Sequence, residues 1–517
     1  MTRFFNTTGP CNPDDHYMLP PEERLIGAQL HRYIRDKLYW VLHAPRQTGK
    51  TTFLLDWMRK INAGGEGLAC YVSVEDCQRV TDVSEAMRII NFNIRTALSE
   101  MGYKPPTARE TDPLNMVSAT LRQIAGLVAP KPLVILFDET DVLEGDPLIR
   151  FLRLLRGGFA TRGVGIFPTS IALVGMRDLK DYITASKDGF APNPGSPFNI
   201  KEDSAVIGNF TKENVARLFA QRTEETGQGI TEEALKYVWQ QSQGQPWIVN
   251  NLFKRATMRV LPAGSAETVT LAHIEQAREQ MINARETHLD ALAHRLEDPR
   301  VRQVMETMMT GEADMRLAQG EGFRLCLDLG LVETRRGVAQ VANPIYREIL
   351  AREMTYGAQL AIAEPTWPWK KPDGSLDMDR LLREFQKFWQ RHSQVWEERS
   401  DYTEAFPHLL LMAFLQRVLN GGGSIEREYA AGRGRMDLMV QYADECFIIE
   451  IKLIHPYDNP ETVREEGLEQ IRQYRDKIAP SSPAWLVIFD RRPQAKRKTW
   501  EERIGWQRQD EIAIVQC

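Results

Sequence analysis

One short stretch of the sequence has the residue types and the spacing that hold phosphate groups. Residues 44–51 read APRQTGKT, which fits the pattern G-x-x-x-x-G-K-[ST] except that Ala44 replaces the first glycine. In such a loop, backbone N–H groups surround phosphate oxygens at the start of a helix, whose dipole adds attraction. Lys50 would then reach the β- and γ-phosphates, and the Thr51 hydroxyl would bind Mg²⁺. The alanine at position 44 is tolerated only where φ is negative. The predicted nucleotide-binding residues of the loop are Arg46, Gln47, Thr48, Gly49, Lys50, Thr51 and Thr52.

Two acids follow an apolar stretch further along the chain. Leu133–Phe137 (LVILF) has the pattern of a continuous buried strand, and Asp138 and Glu139 come directly after it. Asp138 would hold Mg²⁺ through water, and Glu139 would orient or deprotonate the water that attacks a phosphate. The alternative is that the two acids end the strand as a solvated turn.

A second set of charged residues lies in the last hundred residues. Glu450 follows Asp437 by 13 residues (450 − 437), and Lys452 follows Glu450 by two. The interval suits a β-hairpin with its turn near residues 443–445, and residues two apart in a strand share one face. Asp437 and Glu450 would hold Mg²⁺, with Mn²⁺ as the alternative, and Lys452 would lie near the water that attacks a phosphodiester. The spacing of these three residues also occurs by chance, so the interpretation as a metal site depends on their place in predicted strands.

The elements that must position the first two motifs alternate over the first 210 residues. Apolar runs alternate with segments of helical periodicity, which is typical of an α/β fold whose parallel sheet has helices on both faces. The predicted strands are Leu38–Ala44, Ala69–Val74, Leu133–Phe137 and Ser170–Gly175. The predicted helices cover residues 51–61, 82–101, 114–129 and 147–157. This order indicates a nucleotidase with a strand inserted between the loop strand and the acid strand.

Helical patterns replace the strands from Thr211 onward. They cover residues 211–227, 231–242, 246–260 and 271–285. Residues 297–350 then give two helices, a small hairpin around residues 335–337, and a closing strand and helix. This is the outline of a winged helix, and an ordinary small helical bundle is the alternative.

A proline- and tryptophan-rich stretch at residues 365–373 has the composition of a linker. After it we predict helices over residues 377–397, 402–419 and 460–479, alternating strands from residue 424 to 454, and the strand Ala484–Phe489. The predicted domains are a lead-in segment (1–37), a nucleotide-binding core (38–210), a helical lid (211–290), a winged helix (291–360), a linker with a connecting helix (361–397) and a C-terminal domain (398–517).

Composition limits the class of protein. The chain has 517 residues, 43% of them hydrophobic and 26% charged, which excludes a disordered chain or a rod. The net charge of −5 argues against a protein that coats nucleic acid. The six cysteines form no C-x-x-C pair, so a zinc site and a disulfide framework are not expected. No apolar run reaches 18 residues and the first residues have no apolar signal region, so we expect no membrane contact and a cytoplasmic location.

Several motifs in the first two thirds resemble a known family. They are APRQTGKTT, LVILFDETD, SIALVGMRDLKDY, SPFNI with FTKENVARLF, SQGQPWIVNNL and LGLVETRRGVAQVANPIYREIL. In this order, over residues 10–350, they resemble the AAA-like and STAND-type P-loop ATPases. The resemblance implies a parallel sheet with a helical lid, ATP as cofactor, and a homo-oligomer formed through this domain. It also implies that Pro246 in the turn GQP lies near the nucleotide and that Arg177 senses the γ-phosphate, with a surface arginine as the alternative. Candidate arginine fingers are Arg153, Arg156 and Arg162.

The C-terminal pattern resembles a second family. The spacing D-x(12)-E-x-K, followed by Gln470 and Tyr474, is similar to the PD-(D/E)XK nuclease superfamily over residues 398–492. The loop GRGRMD is similar to the form fused to AAA-type ATPases. The resemblance implies an α/β restriction-endonuclease-like domain in which Gln470 packs toward the active site. Glu404 matches an acid that some members contribute, with a solvated helix face as the alternative. Met436 replaces the usual proline before the aspartate.

Three further charged groups leave two interpretations open. Arg335 and Arg336 at the hairpin tip would contact DNA or pack on the nucleotide domain, and packing is favoured. Glu426 and Glu428 would face the nuclease cleft or, more simply, line a solvated strand edge. The basic residues after the last predicted strand would hold phosphates or form a solvated face. They are Arg491, Arg492, Lys496, Arg497 and Lys498.

Together these patterns predict an enzyme that binds and hydrolyses ATP and thereby regulates a Mg²⁺-dependent nuclease acting on DNA or RNA. Fusions of this kind suggest a role in phage defence or mobile-element biology by analogy. The alternatives are an ATP-driven nucleic-acid-binding protein and a signalling scaffold, each with an inactive nuclease-like domain.

Overall fold

The computed structural model divides the chain into two compact units. The first contains residues 1–291 and 315–347, and the second contains residues 292–314 and 348–517. The structure describes residues 2–65, 67–103, 112–162, 165–176, 201–284, 292, 294–310, 320–335, 337–350, 353, 371, 373, 375–397, 407, 410–412, 414–415, 423–431, 434–442, 445–455, 457–478, 482–490, 492 and 505–517. Among the described helices, none combines the length and the apolar character needed to cross a bilayer.

The first unit is built on a six-stranded sheet. Its strands are β1 (Leu25–Ile26), β2 (Tyr39–His43), β3 (Leu68–Ser73), β4 (Leu133–Asp138), β5 (Ser170–Gly175) and β6 (Lys201–Ile207). The order is β1-β6-β2-β5-β4-β3, and all neighbours are parallel except β1 and β6. The strand inserted between the loop strand β2 and the acid strand β4 is therefore β5, while β3 lies at the sheet edge.

Helices cover both faces of this sheet, as the continuous apolar strands predict. They are α1 (Leu30–Arg35), α2 (Lys50–Gly64), α3 (Val83–Glu100), α4 (Met116–Val128) and α5 (Gly145–Thr161). One core contains Ile135 and Phe137 of β4 with side chains of α3, α4 and α5. The other contains Val134 and Leu136 of the same strand with Phe53 and Leu54 of α2. Successive residues of β4 thus enter opposite cores, which fixes the register of the sheet.

Four helices form the predicted helical region after the sheet. They are α6 (Lys212–Thr226), α7 (Glu232–Ser242), α8 (Pro246–Arg255) and α9 (Leu271–Asn283). The lead-in segment packs on them, because the fully buried ring of Phe5 contacts the rings of Phe219 and Phe253 at 5.8 and 5.0 Å between centroids. The strands β1 and β6 and the helix α1 were not predicted, because their short or polar sequences lack clear periodicity.

A hairpin follows in the first unit. Strands β7 (Val332–Arg335) and β8 (Val338–Val341) pair antiparallel, and helix α11 (Glu321–Asp328) precedes them. These are elements of the predicted winged helix. Helix α10 (Pro299–Thr310), which we assigned to the same domain, belongs to the second unit.

The second unit is built on another six-stranded sheet. Its strands are β9 (Gly423–Ala431), β10 (Gly434–Tyr442), β11 (Glu445–Ile454), β12 (Ala484–Asp490), β13 (Trp506–Gln509) and β14 (Ile512–Gln516), in the order β13-β14-β12-β11-β10-β9. Helices α12 (Met378–Glu397) and α13 (Pro460–Ile478) pack on opposite faces. Strands β13 and β14 were missed, because the alternation in these few residues is too short to separate from a loop.

Two glycines with the same backbone conformation allow a test of close packing in the first unit. Gly244 and Gly227 have φ of 76° and 75°, so an alanine at either position costs about 1 kcal/mol in a left-handed conformation. An ideal Cβ at Gly227 meets nothing within 4 Å, whereas at Gly244 it would lie 2.0 Å from the carbonyl oxygen of Phe210. We expect Gly227→Ala to lower the free energy of unfolding by about 1 kcal/mol and Gly244→Ala by about 3 kcal/mol, because overpacking adds to the strain. Urea denaturation of both variants measures this, and equal losses would contradict the close contact.

Candidate functional site

The phosphate loop joins the end of β2 to the start of α2. Lys50 is the first residue of α2 and is only 6% exposed. Its Nζ donates hydrogen bonds to the carbonyl oxygens of Ala44 and Pro45 at 2.8 and 3.0 Å. Burial lowers the pKa of Lys50, and the nearby carboxylates of Glu139, Asp141 and Asp138 oppose that shift. Ala44 does not have a positive φ, so an alanine is tolerated at the position where the pattern has glycine.

The acid at the end of β4 contacts this loop directly. Asp138 is fully buried, and its Oδ2 accepts hydrogen bonds from the hydroxyls of Thr51 at 2.7 Å and Tyr71 at 3.1 Å. Its Oδ1 accepts a hydrogen bond from the backbone N–H of Glu139 at 3.0 Å. A hydroxyl and a carboxylate that meet in this way suit a hard cation such as Mg²⁺.

Two more acids lie beside this pair. Glu139 has a left-handed backbone with φ of 58°. Burial raises the pKa of Glu139, and the charges of Asp141 and Asp138 raise it further. Burial also raises the pKa of Asp141, whose buried Oδ1 has no hydrogen-bond partner among the described residues. Sequence reasoning missed Asp141, although its place two residues after Glu139 was a usable signal.

Two of the other predicted loop residues contact the lid and the lead-in segment. The carbonyl oxygen of Gln47 accepts a hydrogen bond of 3.5 Å from the side chain of Gln245, which precedes Pro246 at the start of α8. The hydroxyl of Thr52 accepts one of 3.0 Å from the backbone N–H of Cys11. The hydroxyl of Thr48 donates to the carbonyl oxygen of Pro45 at 2.8 Å, while Arg46 is exposed.

A buried arginine that the sequence did not single out also holds the loop. The Nη1 of Arg24 donates to the carbonyl oxygens of Thr48 at 2.8 Å and Gly208 at 3.0 Å. Its guanidinium lies 4.9 Å from the centre of the Phe210 ring, a cation–π contact. Burial lowers the pKa of Arg24 to about 10, so it stays protonated at neutral pH. Nothing in the polar lead-in distinguishes this arginine from a surface residue.

The hairpin segment contacts the same region. Arg335 forms an ion pair with Glu333 at 2.6 Å and donates a hydrogen bond to the side chain of Gln243 in the lid. At the turn before β7, a Cβ on Gly330 would lie 2.7 Å from Pro45 of the phosphate loop. Arg335 thus packs on other residues of the first unit, which is the interpretation that we favoured for it.

The predicted arginines have different settings. Arg153 and Arg156 are exposed on α5. The Arg162 guanidinium instead stacks on the Phe159 ring at 3.9 Å. Arg177 and Arg336 lie outside the described residues, as do Glu404, Arg491, Lys496, Arg497 and Lys498.

The second candidate site lies on β11. The carboxylate of Glu450 is 1% exposed, and its Oε1 forms an ion pair with the Nζ of Lys452 at 3.1 Å. Strands β10 and β11 form an antiparallel hairpin in which Tyr442 pairs with Glu445 and Leu438 pairs with Ile449. Asp437 in β10 and Glu450 in β11 come next along the paired strands, as the spacing predicted. The backbone of Asp437 is described, as are those of Glu426 and Glu428 in β9.

Helix α13 covers this face of the sheet. Leu468, Ile471 and Tyr474 pack with Ile448 and Ile454, which lie on the same strand face as Glu450 and Lys452. The predicted site residue Gln470 is on this helix, and its buried Oε1 has no hydrogen-bond partner within the described part of the chain.

No cluster of three or more histidine, cysteine, aspartate or glutamate side chains that could hold a metal occurs among the described residues. Of the two predicted metal ligands of the second site, Glu450 is the one whose side chain the structure describes. A buried carboxylate on a strand fits a divalent cation, and Asp437 would have to complete the site.

One family model matches the chain. Residues 402–488 match the model of the PD-(D/E)XK nuclease superfamily. The second unit carries a PD-(D/E)XK nuclease-like domain. The parallel sheet with its phosphate loop in the first unit agrees with the other half of the predicted fusion, so the P-loop ATPase-like fold and the nuclease-like domain are both confirmed.

Several solved structures are similar to about two thirds of the chain. A Walker-type ATPase of Pyrococcus abyssi is 13% identical, with a TM-score of 0.47 over 67% of this chain and 99% of that one. The ORC2 protein of Aeropyrum pernix is 14% identical, with a TM-score of 0.40 over 64% and 92%. The Holliday junction branch migration motor RuvB of Thermotoga maritima is 14% identical, with a TM-score of 0.34 over 62% and 90%. No curated protein matches the sequence.

The buried arginine gives a test of how the loop is held. Arg24→Met keeps the apolar stem but leaves the carbonyl oxygens of Thr48 and Gly208 without this donor, which costs about 2 kcal/mol of stability. We also expect weaker ATP binding, because the loop loses an anchor. Thermal denaturation and titration calorimetry measure both effects.

The matched control is Arg217→Met, which removes a solvent-exposed ion pair with Glu23. We expect this control to leave the melting temperature nearly unchanged. An Arg24 variant as stable as the control, with the ATP affinity of the unchanged protein, would contradict the anchoring role.

Proposed function

We propose that this protein binds and hydrolyses ATP in its first unit and that the nucleotide state regulates a Mg²⁺-dependent nuclease in its second unit, acting on DNA or RNA. The observation that carries the ATP part is the meeting of Lys50, Thr51 and Asp138 at the end of the parallel sheet. The comparisons support a nuclease-like domain, and the regulation is our inference.

In this proposal Lys50 exchanges its bonds to the carbonyl oxygens of Ala44 and Pro45 for bonds to the β- and γ-phosphates. Thr51 and Asp138 would hold Mg²⁺, which neutralises phosphate charge when bound. Glu139 orients the attacking water and accepts its proton, a role that its raised pKa suits. Arg177 and Pro246 would line the nucleotide site, and an arginine finger would come from a second copy in a homo-oligomer.

In the nuclease-like domain, Asp437 and Glu450 would hold Mg²⁺ or Mn²⁺, ions that supply Lewis-acid polarisation of the scissile phosphate. Lys452 already lies 3.1 Å from Glu450, so its ammonium is placed to stabilise charge on the attacking water or the phosphate. Gln470 would orient the substrate from α13. We propose a cytoplasmic protein, with phage defence as the context suggested by analogy.

The first test separates nucleotide binding from turnover. Lys50→Ala should weaken ATP–Mg²⁺ binding roughly 100-fold, because a phosphate cluster loses its charged hydrogen-bond donor. Glu139→Gln should bind ATP normally but hydrolyse it at least about 100-fold more slowly. Calorimetry and phosphate release measure these outcomes. An unchanged affinity in Lys50→Ala would reject the phosphate-loop assignment, and an unchanged rate in Glu139→Gln would reject its role toward water.

The second test concerns cleavage. Glu450→Gln and Asp437→Ala should each abolish cleavage of labelled DNA or RNA, and Lys452→Ala should slow it by about 100-fold or more. ATP turnover should survive in all three, because the ATP-site residues lie in the other unit. Glu465→Gln on the exposed face of α13 is the matched control. A wild-type protein that binds nucleic acid but cuts none under any nucleotide condition would favour the alternative of an inactive nuclease-like binding domain.

A further inference from the structure

The loop after β11 presents an aromatic ring to solvent. Tyr457 is 96% exposed, whereas Phe92, the other strongly exposed aromatic residue of the described chain, is 67% exposed. An exposed aromatic residue alone is common. The position of Tyr457 is what matters, because the strand that ends just before it carries Glu450 and Lys452.

Hydrogen bonds hold this loop in shape. The backbone N–H of His455 donates to Oδ2 of Asp458 at 2.8 Å, and that of Asp458 donates to the carbonyl oxygen of His455 at 3.1 Å. The side chain of Asn459 accepts from the backbone N–H of Glu461 at 3.0 Å, where α13 begins. Hydrogen bonds of Asp458 and Asn459, the two residues that follow Tyr457, therefore hold the backbone on its C-terminal side.

The loop lies at the edge of the sheet nearest to the candidate nuclease residues. Lys452 is two residues before Ile454, the last residue of β11. At about 3.3 Å per residue, the five residues from Lys452 to Tyr457 span at most about 17 Å. A polynucleotide strand bound at Lys452 is long enough to pass over Tyr457.

A basic residue follows the end of the neighbouring strand β12. Strands β11 and β12 are parallel, and Ile454 pairs with Asp490, so their C-terminal ends lie side by side. Arg492 follows and donates to both carboxylate oxygens of Asp490 at 3.0 and 2.8 Å, which fixes its guanidinium at this edge. Tyr457 and Arg492 thus follow the C-terminal ends of two adjacent strands, and aromatic and arginine side chains are residue types that bind single-stranded nucleic acid.

We propose that Tyr457 stacks on an unpaired base of the nucleic acid that enters the candidate nuclease site, so that the substrate has a single-stranded or unwound segment there. This inference rests on the proposed nuclease function and narrows its substrate. A protein partner is the weaker candidate. Apolar docking needs a contiguous apolar patch, whereas three of the residues closest to Tyr457 in sequence, His455, Asp458 and Asn459, are polar.

The test compares Tyr457→Ala and Tyr457→Phe with the wild-type full chain. Fluorescence anisotropy with EDTA measures affinity for labelled 20-nucleotide DNA and RNA strands and for a blunt duplex. We expect Tyr457→Ala to weaken single-strand binding by about 5- to 150-fold and duplex binding by less than twofold, because the stacking contact is lost. Tyr457→Phe keeps the ring and should bind like the wild type. A strand with 2-aminopurine in place of one adenine should be quenched by the wild type and not by Tyr457→Ala.

Phe92→Ala is the matched control, because it removes an exposed aromatic ring from the other unit. It should change neither affinity nor quenching. If the wild type binds and cuts nucleic acid but Tyr457→Ala binds single strands equally well, the stacking inference fails and the nuclease proposal stands. If the wild type binds no nucleic acid, both fail. Equal weakening for single strands and duplex would also overturn the stacking inference.

Discussion

A lysine charge that is almost removed from water determines how the first unit is arranged. Lys50 is 6% exposed, and a buried ammonium is costly unless carbonyl dipoles and carboxylates surround it. Two loop carbonyl groups accept its hydrogen bonds, and the acids after β4 lower the cost through their charges. The loop and the end of β4 must therefore lie together, and the parallel sheet achieves this by ending both β2 and β4 at one edge. The attraction is mutual, because the positive charge of Lys50 also offsets the repulsion among the carboxylates of Asp138, Glu139 and Asp141.

The second unit also contains a buried charge with an oppositely charged partner, the pair of Glu450 and Lys452. Apolar side chains of β11 surround Glu450 on both faces of the strand. Lys452 lies on the same face as Glu450 and supplies the opposite charge. A pair of this kind is poor at stabilising a fold, because desolvation offsets most of the attraction. Its presence beside apolar side chains agrees with the metal-binding and catalytic roles that we propose for the two residues.

The sequence predicted the parts of the fold that have strong periodicity. The four long apolar strands of the first sheet, the covering helices α2 to α5 and the hairpin with Asp437 and Glu450 were all predicted within a few residues. The strands β1, β6, β13 and β14 were not, because they are short or polar and depend on their neighbours for pairing. Among the site residues, motifs identify those whose proposed role in phosphate binding depends on a fixed local geometry. Arg24 was not found, because its role depends on contacts with residues far away in the sequence, which no local pattern encodes.

The packing of Arg24 on the phosphate loop links two distant positions. Its Nη2 lies 2.8 Å from where a Cβ of residue 49 would be, so the guanidinium fills the space that the missing side chain leaves. A larger residue at position 49 would press on the Arg24 guanidinium, which donates to the carbonyl oxygens of Thr48 and Gly208. The two positions, 25 residues apart (49 − 24), therefore share one space, because the guanidinium of one occupies the volume that a side chain of the other would need. A side chain added at position 49 would act on the loop through Arg24 as well as through the left-handed backbone of Gly49.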